Sequence, residues 1–179
     1  EEYLVALKVD QAIIAQEDKN SKSEEQLVIF LEKIEKDFKF LFEDDALKLK
    51  FIPKEYRFYI LQEGKEPYTL QSLSSGFSAI LNIYADLVTK IGLLDLSPAE
   101  VTGVVLIDEI DVHLHVSLQK KIFSFFSQAF PKIQFIVTTH SPFVVTSVND
   151  AVIYDLSTYE QVEDLSMYSY TAVMEELFN

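Results

Sequence analysis

Two short apolar runs on either side of a helical pattern constrain the fold of this chain more than any other feature. Residues 104–107 (VVLI) and 133–137 (IQFIV) have the length and composition of buried strands. Between them, apolar residues recur at helical spacing: Leu118, Ile122, Phe125, Phe126 and Ala129. This pattern stops before Pro131. Strand, helix and strand in this order predict a parallel sheet with strands buried on both faces, and therefore an α/β fold.

Helices are predicted to flank this sheet. Residues 24–42 have apolar side chains every three or four positions, and Ser23 with Gln26 has the form of a capping box. A second apolar stripe runs through 80–91 and predicts a helix that ends near Gly92.

Further strands are predicted outside the central pattern. Segments 47–51 and 56–61 predict a small β-hairpin, and 151–154 predicts a third strand of the parallel sheet. The first segment, 2–18, fits a helix or a strand equally well. We expect three regions: a helical arm over 1–45, the sheet-containing lobe over 46–156, and a helical tail over 157–179.

Composition limits the classes of function. The 179 residues include no cysteine, which excludes disulfides and thiolate metal sites and favours a cytoplasmic location. The formal net charge of −14 disfavours a nucleic-acid surface on this chain, because binding a polyanion relies on Lys and Arg. No apolar run reaches the roughly eighteen residues of a membrane span, so we expect no membrane association.

Two strand ends carry side chains suited to phosphate chemistry. Asp108 and Glu109 directly follow the first strand, where open α/β sheets place their ligands. Asp108 could hold Mg²⁺, and Glu109 could orient and deprotonate an attacking water. His140 follows the neighbouring strand, so we expect it at the same edge, where a neutral imidazole could bond a phosphate oxygen. Solvated acids and a surface histidine at strand ends are the alternative interpretation.

A third candidate is the segment 73–77 (LSSGF), immediately before the second helix. The hydroxyl of Ser74, the neighbouring Ser75 and the small Gly76 at a helix N-terminus could leave backbone N–H groups facing an anion. An ordinary serine cap followed by a loop glycine is the simpler interpretation of this segment alone.

Taken together and in this order, these residues resemble the ABC-type ATPases. The resemblance is to the non-transporter branch: RecF-like and SMC-like ATPases, the OLD nucleases and AAA-labelled proteins of bacterial defence systems. Residues 73–77 are similar to the signature motif, although Ser75 stands where many members have Gly and Phe77 where transporters have Gln. Residues 104–109 are similar to the Walker B motif.

Two further elements carry the resemblance. Asp111 and the following 112–115 (VHLH) resemble the D-loop and an "HLHP" element, with Val116 in place of the usual proline. His140 resembles the switch histidine, and 138–142 (TTHSP) is characteristic of these proteins. The resemblance implies a P-loop NTPase fold of the ABC-ATPase type that uses ATP and Mg²⁺.

The resemblance also implies how the residues are divided between two protomers of a homodimer that sandwiches ATP. Ser74 and Gly76 would contact nucleotide held by the other protomer, and Ser75 and Asp111, the latter in the D-loop, are also expected to bind nucleotide. Asp108 as metal ligand and Glu109 and His140 as catalytic groups would act within one protomer.

The phosphate-binding loop of this family is absent from the sequence. No GxxxxGK[ST] occurs among the 179 residues, and no Q-loop can be assigned. We therefore expect this chain to be the C-terminal lobe of a longer protein, with little activity alone. What the ATPase drives is left open among DNA repair, anti-phage defence and a toxin-like effector, with a DNA or nuclease partner possible through parts outside this chain.

Two other functions compete with this interpretation. A metal-dependent hydrolase could use the acids and imidazoles of the second half of the chain, with His113 and His115 sharing one face if they lie on a strand. The set comprises Asp108, Glu109, Asp111, His113, His115 and His140. A degenerate lobe that only dimerises or recruits a partner is the third possibility.

Overall fold

The computed structural model describes residues 22–92, 97–147 and 151–162, with side chains from residue 28 onward, and four isolated positions nearer the N-terminus. Of the segment 2–18, four positions are described (Glu2, Val5, Ala6 and Val9), and all four are helical; the rest of that prediction, the side chains of the Ser23–Gln26 capping box and residues 163–179 of the tail lie outside the described residues. Contacts divide the chain into two compact units, 1–74 with 80–98 and 75–79 with 99–179. The three regions expected from the sequence have other boundaries and stay a prediction.

Two long helices form the core of the first unit. Helix α1 spans Lys22–Phe42 and helix α2 spans Ser75–Gly92, and all but the first turn of α2 belongs to this unit. Both predicted apolar stripes are confirmed by burial of the side chains they place inside. These side chains are Ile34, Phe38, Leu41, Ile80, Tyr84, Val88 and Ile91. Among the described residues, no helix is both long enough and apolar enough to cross a bilayer.

A three-stranded antiparallel sheet completes the first unit. Strand β1 (Lys48–Ile52) pairs with β2 (Arg57–Leu61), which confirms the predicted hairpin. A short β3 (Tyr68–Thr69) pairs with the other edge of β2 and leads into a 3-10 turn over Leu70–Ser72. The sequence did not predict β3, because two residues are too few to show a period.

The second unit contains the predicted strand-helix-strand pattern. Strands β4 (Gly103–Ile107) and β5 (Ile133–Val137) pair in parallel, and the chain between them forms α3 (Val116–Gln119) and α4 (Ile122–Ala129). Short helix α5 (Pro142–Val145) follows β5. One face of the sheet packs on α4, where Phe135 lies against the rings of Phe123 and Phe126.

The prediction that both strands are buried on two faces is wrong for the described residues. Val104, Leu106 and Ile136 are 58%, 75% and 51% exposed. They share the face opposite to α4, because side chains alternate along a strand. An apolar run shows that a strand could be covered on both sides, but it does not show that both covers are present.

The predicted third strand forms a separate hairpin. Strand β6 (Ile153–Asp155) pairs antiparallel with β7 (Glu160–Val162), so within the described residues it does not extend the parallel sheet. The cause is local: Oδ1 of Asp155 accepts hydrogen bonds from the amide and the hydroxyl of Ser157, which turns the chain back. Residues 157–162 therefore lie in a turn and a strand, where the helical tail was expected to begin.

Candidate functional site

The parallel pairing of β4 and β5 brings their carboxyl ends to one edge. The register pairs Ile107 with Val137, the last residues of the two strands. Asp108 and Glu109 follow one member of this pair, and the segment that leads to His140 follows the other. The two strand ends therefore lie at a common edge of the sheet, as expected, and the approach of the Glu109 and His140 side chains to each other stays a prediction.

Thr138 binds the two strand ends together. Its backbone N–H donates to Ile107 O (3.0 Å), and its carbonyl oxygen accepts from Ile110 N–H (3.0 Å). Its hydroxyl accepts the N–H of Glu109 (2.7 Å) and donates to Oδ1 of Asp108 (2.5 Å). One side chain therefore fixes the backbone of one acid and the carboxylate of the other.

Glu109 has an unusual backbone conformation. Its φ is 49°, in the left-handed region that a non-glycine residue occupies at a cost, and its side chain is exposed. Strained backbone of this kind is concentrated at functional sites, where the surrounding structure holds it in place. Here the hydrogen bond from its amide to Thr138 is part of that support.

A second threonine holds the His140 loop, which comprises residues 139–143. The hydroxyl of Thr139 donates to Oδ1 of Asp111 and also accepts the N–H of Ser141 (3.0 Å). The same Asp111 oxygen accepts the backbone N–H of His140 (3.3 Å). Asp111 is half-buried and is occupied by these internal hydrogen bonds, whereas the His140 side chain is exposed.

The glycine of the 73–77 segment is explained by packing. Helix α2 begins at Ser75, and a Cβ at Gly76 would lie 3.0 Å from Leu118 Cδ1 and 3.3 Å from the His113 carbonyl oxygen. Gly76 is buried and Ser75 is exposed, and both belong to the second unit, whereas Ser74 belongs to the first. The start of α2 thus rests on the turn that follows Asp111.

The carboxylate of Asp108 fits a magnesium ligand. It is an exposed, hard oxygen donor at a strand end, and its Oδ1 accepts the hydrogen bond from the Thr138 hydroxyl. Mg²⁺ takes few protein oxygens and keeps waters and substrate phosphates as its other ligands, so one fixed carboxylate is sufficient.

Two of the candidate metal ligands, His113 and His115, do not lie on a strand. Among the residues with described positions, no group of three or more His, Cys, Asp or Glu side chains could hold a metal ion. His113 lies in a turn with a φ of 64°, and His115 caps α3 by accepting the Ser117 N–H at Nδ1 (3.3 Å). The two imidazoles therefore do not share a strand face.

Thr138 and Thr139 begin the 138–142 segment, but the sequence alone predicted no role for either of them. Their signal is position: two hydroxyl side chains directly after a strand that neighbours the strand with the acids. A hydroxyl both donates and accepts, so it can join a carboxylate to a backbone N–H.

A family model described as "AAA domain, putative AbiEii toxin, Type IV TA system" matches residues 4–146. Among curated relatives, "Retron Ec83 probable ATPase" of Escherichia coli is 39% identical over 111 residues, which is 60% of this chain and 20% of that protein. "Septu protein PtuA" of Bacillus mycoides (strain KBAB4) is 37% identical over 94 residues, 52% of this chain and 13% of that protein. The chain thus spans a fifth or less of the length of these relatives.

A solved structure from "Structural biochemistry of ATP-driven dimerization and DNA stimulated activation of SMC ATPases" superposes with a TM-score of 0.51. The two sequences are 17% identical, and the match covers 84% of this chain and 91% of that chain. At this identity the likeness shows the fold, which is of the P-loop NTPase type. With four-fifths of its residues matched by the family model, the chain belongs to this AAA domain family, which confirms the expected resemblance to AAA-labelled proteins.

Proposed function

We propose that this chain is the half of an ATP-hydrolysing domain that carries the catalytic carboxylate. The observation that carries the proposal is the linkage at the sheet edge, where the Thr138 hydroxyl joins Asp108 to the backbone of Glu109. The retron relative is named a probable ATPase, and this name supports ATP hydrolysis as the reaction.

The roles follow from position and chemistry. Asp108 holds Mg²⁺, which when bound offsets the negative charge of the phosphates. Glu109 orients the attacking water and accepts its proton, and its carboxylate is exposed for this purpose. His140 donates a hydrogen bond to a γ-phosphate oxygen from the neighbouring strand end. Thr138 is a positioning residue that keeps both acids in place.

Ser74, Ser75 and Gly76 act on nucleotide held by a second copy. The N-terminal end of an α-helix attracts anions, since its first N–H groups lack partners within the helix. The α2 helix spans Ser75–Gly92, long enough for this effect, and Ser75 is exposed at its start. Two copies would then close around ATP and separate after hydrolysis removes the γ-phosphate.

The system that this ATPase serves is a defence system. Retron and Septu proteins are among the curated relatives of this chain, and this favours defence over DNA repair. A nuclease or other effector, contributed by another part of the protein or by a partner, completes the function. The net charge of −14 gives this chain itself little affinity for DNA.

The test is the substitution Glu109→Gln in the full-length protein. Replacing the carboxylate by an amide removes the base but keeps its shape, so ATP turnover should fall by about a hundredfold or more while ATP binding is unchanged. Steady-state phosphate release and equilibrium nucleotide binding measure the two effects.

Glu66→Gln is the matched control, since Glu66 is an exposed acid of the first unit, and it should leave both quantities unchanged. Turnover that survives Glu109→Gln would remove Glu109 from its role. Absence of turnover in the unaltered protein would favour the non-catalytic dimerisation module instead.

A further inference from the structure

Gln119, the last residue of α3, joins two parts of the second unit. Its side-chain Nε2 donates to the carbonyl oxygen of Leu114 (2.9 Å), and its Oε1 accepts the hydroxyl proton of Ser141 (2.7 Å). Ser141 is only 5% exposed, and it also accepts the N–H of Phe143 (3.1 Å) at the start of α5. Both ends of the Gln119 amide are therefore used.

The partner of Gln119 lies directly beside His140. On the other side of His140, Thr139 donates to Asp111 and accepts from Ser141, so three consecutive residues share one hydrogen-bonded network. Asp111 fixes the amide of His140 and Gln119 fixes the side chain of Ser141. The His140 loop is thus anchored on both sides to the chain segment 111–119.

The same segment supports the start of α2. Leu118 Cδ1 and the His113 carbonyl oxygen lie within 3.0 and 3.3 Å of the position of a Cβ on Gly76, and Leu114 Cδ2 lies at 3.6 Å. A shift of this turn would therefore reach Gly76 through direct packing and reach His140 through Gln119. Close-packed contacts transmit small displacements because they leave no free space to absorb them.

We propose that Gln119 is a positioning residue that fixes the His140 loop to the 111–119 turn on which Gly76 rests. The proposal depends on the proposed ATPase function for its catalytic consequence. Gln119 acts through His140 and does not itself touch the nucleotide. Its amide is suited to this role because one group donates to Leu114 while the other accepts from Ser141.

The kinetic test uses Gln119→Ala in the full-length protein. Loss of the anchor should lower kcat for ATP about tenfold and change KM less than about threefold, because a displaced His140 affects the reacting phosphate more than the bound nucleotide. Adding Gln119→Ala to a His140→Ala protein should cause no further loss, which a general loss of stability would not reproduce. Gln119→Glu, which can still accept from Ser141, should retain part of the activity.

Gln128→Ala is the matched control, since Gln128 is an exposed glutamine on α4 of the same unit. It should match the unaltered protein in kcat. An equal effect of both glutamine variants, or a full further loss in the His140→Ala background, would overturn the proposal.

Amide hydrogen exchange separates this proposal from the proposed function. Exchange at 139–143 should be faster in Gln119→Ala than in Gln128→Ala, and this is measurable whether or not the protein hydrolyses ATP. Unchanged exchange in this loop overturns the role of Gln119 even if turnover is observed. Faster exchange in a protein without turnover supports the positioning role and rejects the ATPase.

Discussion

Glu109, the proposed catalytic base, has a backbone conformation that most residues other than glycine avoid. A φ of 49° costs a residue with a Cβ about 1–2 kcal/mol relative to the right-handed conformation, and glycine escapes that cost. The side chain is exposed, so packing does not explain the choice of glutamate. Glu43, Tyr56, His113 and Tyr159 also have positive φ, so the role proposed for Glu109 rests on its position at the strand end and not on this conformation alone.

Glycine at this position should therefore stabilise the fold relative to alanine. We expect the free energy of unfolding of Glu109→Gly to exceed that of Glu109→Ala by roughly 1 kcal/mol, since both lack the carboxylate and only glycine relieves the φ of 49°. Urea unfolding of the two variants of this chain measures the difference. Equal midpoints, or a more stable alanine variant, would contradict the strain.

The residues of the site differ in how well the sequence revealed them. Asp108, Glu109 and His140 could be predicted to lie near one edge because they follow two strands that a parallel sheet places side by side, and their catalytic roles stay a prediction. Thr138 and Gln119 could not, because their roles depend on partners across the fold: Thr138 bonds residues 29 and 30 positions away, and Gln119 bonds Ser141, 22 positions away. A hydroxyl or an amide has too many ordinary uses to be identified from its type.

At the scale of elements, α1 and α2 are joined by a buried polar group that their apolar stripes do not reveal. Tyr84 on α2 donates its hydroxyl proton to Oδ2 of Asp37 on α1 (2.7 Å), and Lys33 lies 2.5 Å from the same carboxylate. Asp37 and Tyr84 are each 3% exposed. Because a buried carboxylate needs its partners, this group specifies how the two helices pair.

Replacing Tyr84 by phenylalanine removes one partner of that carboxylate. We expect the free energy of unfolding to fall by about 1–2 kcal/mol near neutral pH, since Asp37 keeps the Lys33 ammonium but loses a buried hydrogen bond. Tyr56→Phe is the control, because Tyr56 is 64% exposed. Equal stability of the two variants would show that the Tyr84 hydroxyl contributes little.

The contribution of Tyr84 should disappear in alkali. Burial, together with the charge of Asp37, raises the pKa of Tyr84 well above its usual value of about 10. The folded state therefore holds the proton that the unfolded state releases, so stability from this group is complete below pH 10 and is lost as pH rises beyond it. The difference in unfolding free energy between the unaltered chain and Tyr84→Phe should shrink above pH 10, as denaturant titrations at several pH values would show. A difference in unfolding free energy that stays constant above pH 10 would contradict the raised pKa of Tyr84.

The periodicity of the sequence predicted which helices and strands form, but it did not predict which other elements cover them or pair with them. The stripes of α1, α2 and α4 and the hairpin β1–β2 were predicted because burial of one face imposes a period on the sequence. The exposed face of β4 was not predicted. Its apolar run is typical of a strand buried on both faces, yet Leu106 is 75% exposed. The pairing of β6 was missed because an Asp155–Ser157 turn decides it locally.

At the scale of the whole molecule, the proposed function separates nucleotide binding from catalysis. This chain provides acids and an imidazole, and its 179 residues contain no GxxxxGK[ST] loop to hold the phosphates. Such a loop supplies a lysine and several backbone N–H groups, which give most of the affinity for a triphosphate. The net charge of −14 adds a general repulsion of anions.

The chain by itself should bind ATP poorly. We expect a dissociation constant of about 1 mM or weaker with Mg²⁺ present, corresponding to no more than about 4 kcal/mol of binding free energy, because in the proposed site Asp108 and the His140 loop would contact only the metal and the terminal phosphate. Isothermal titration calorimetry on the 179 residues measures this directly, and full-length protein carrying Glu109→Gln is the positive control. High salt screens repulsion between charges, so binding that appears only at high salt would assign the weakness to net charge. Micromolar affinity of the isolated chain at ordinary salt would mean that these residues form a complete nucleotide site, and the division between a phosphate-binding and a catalytic half would be wrong.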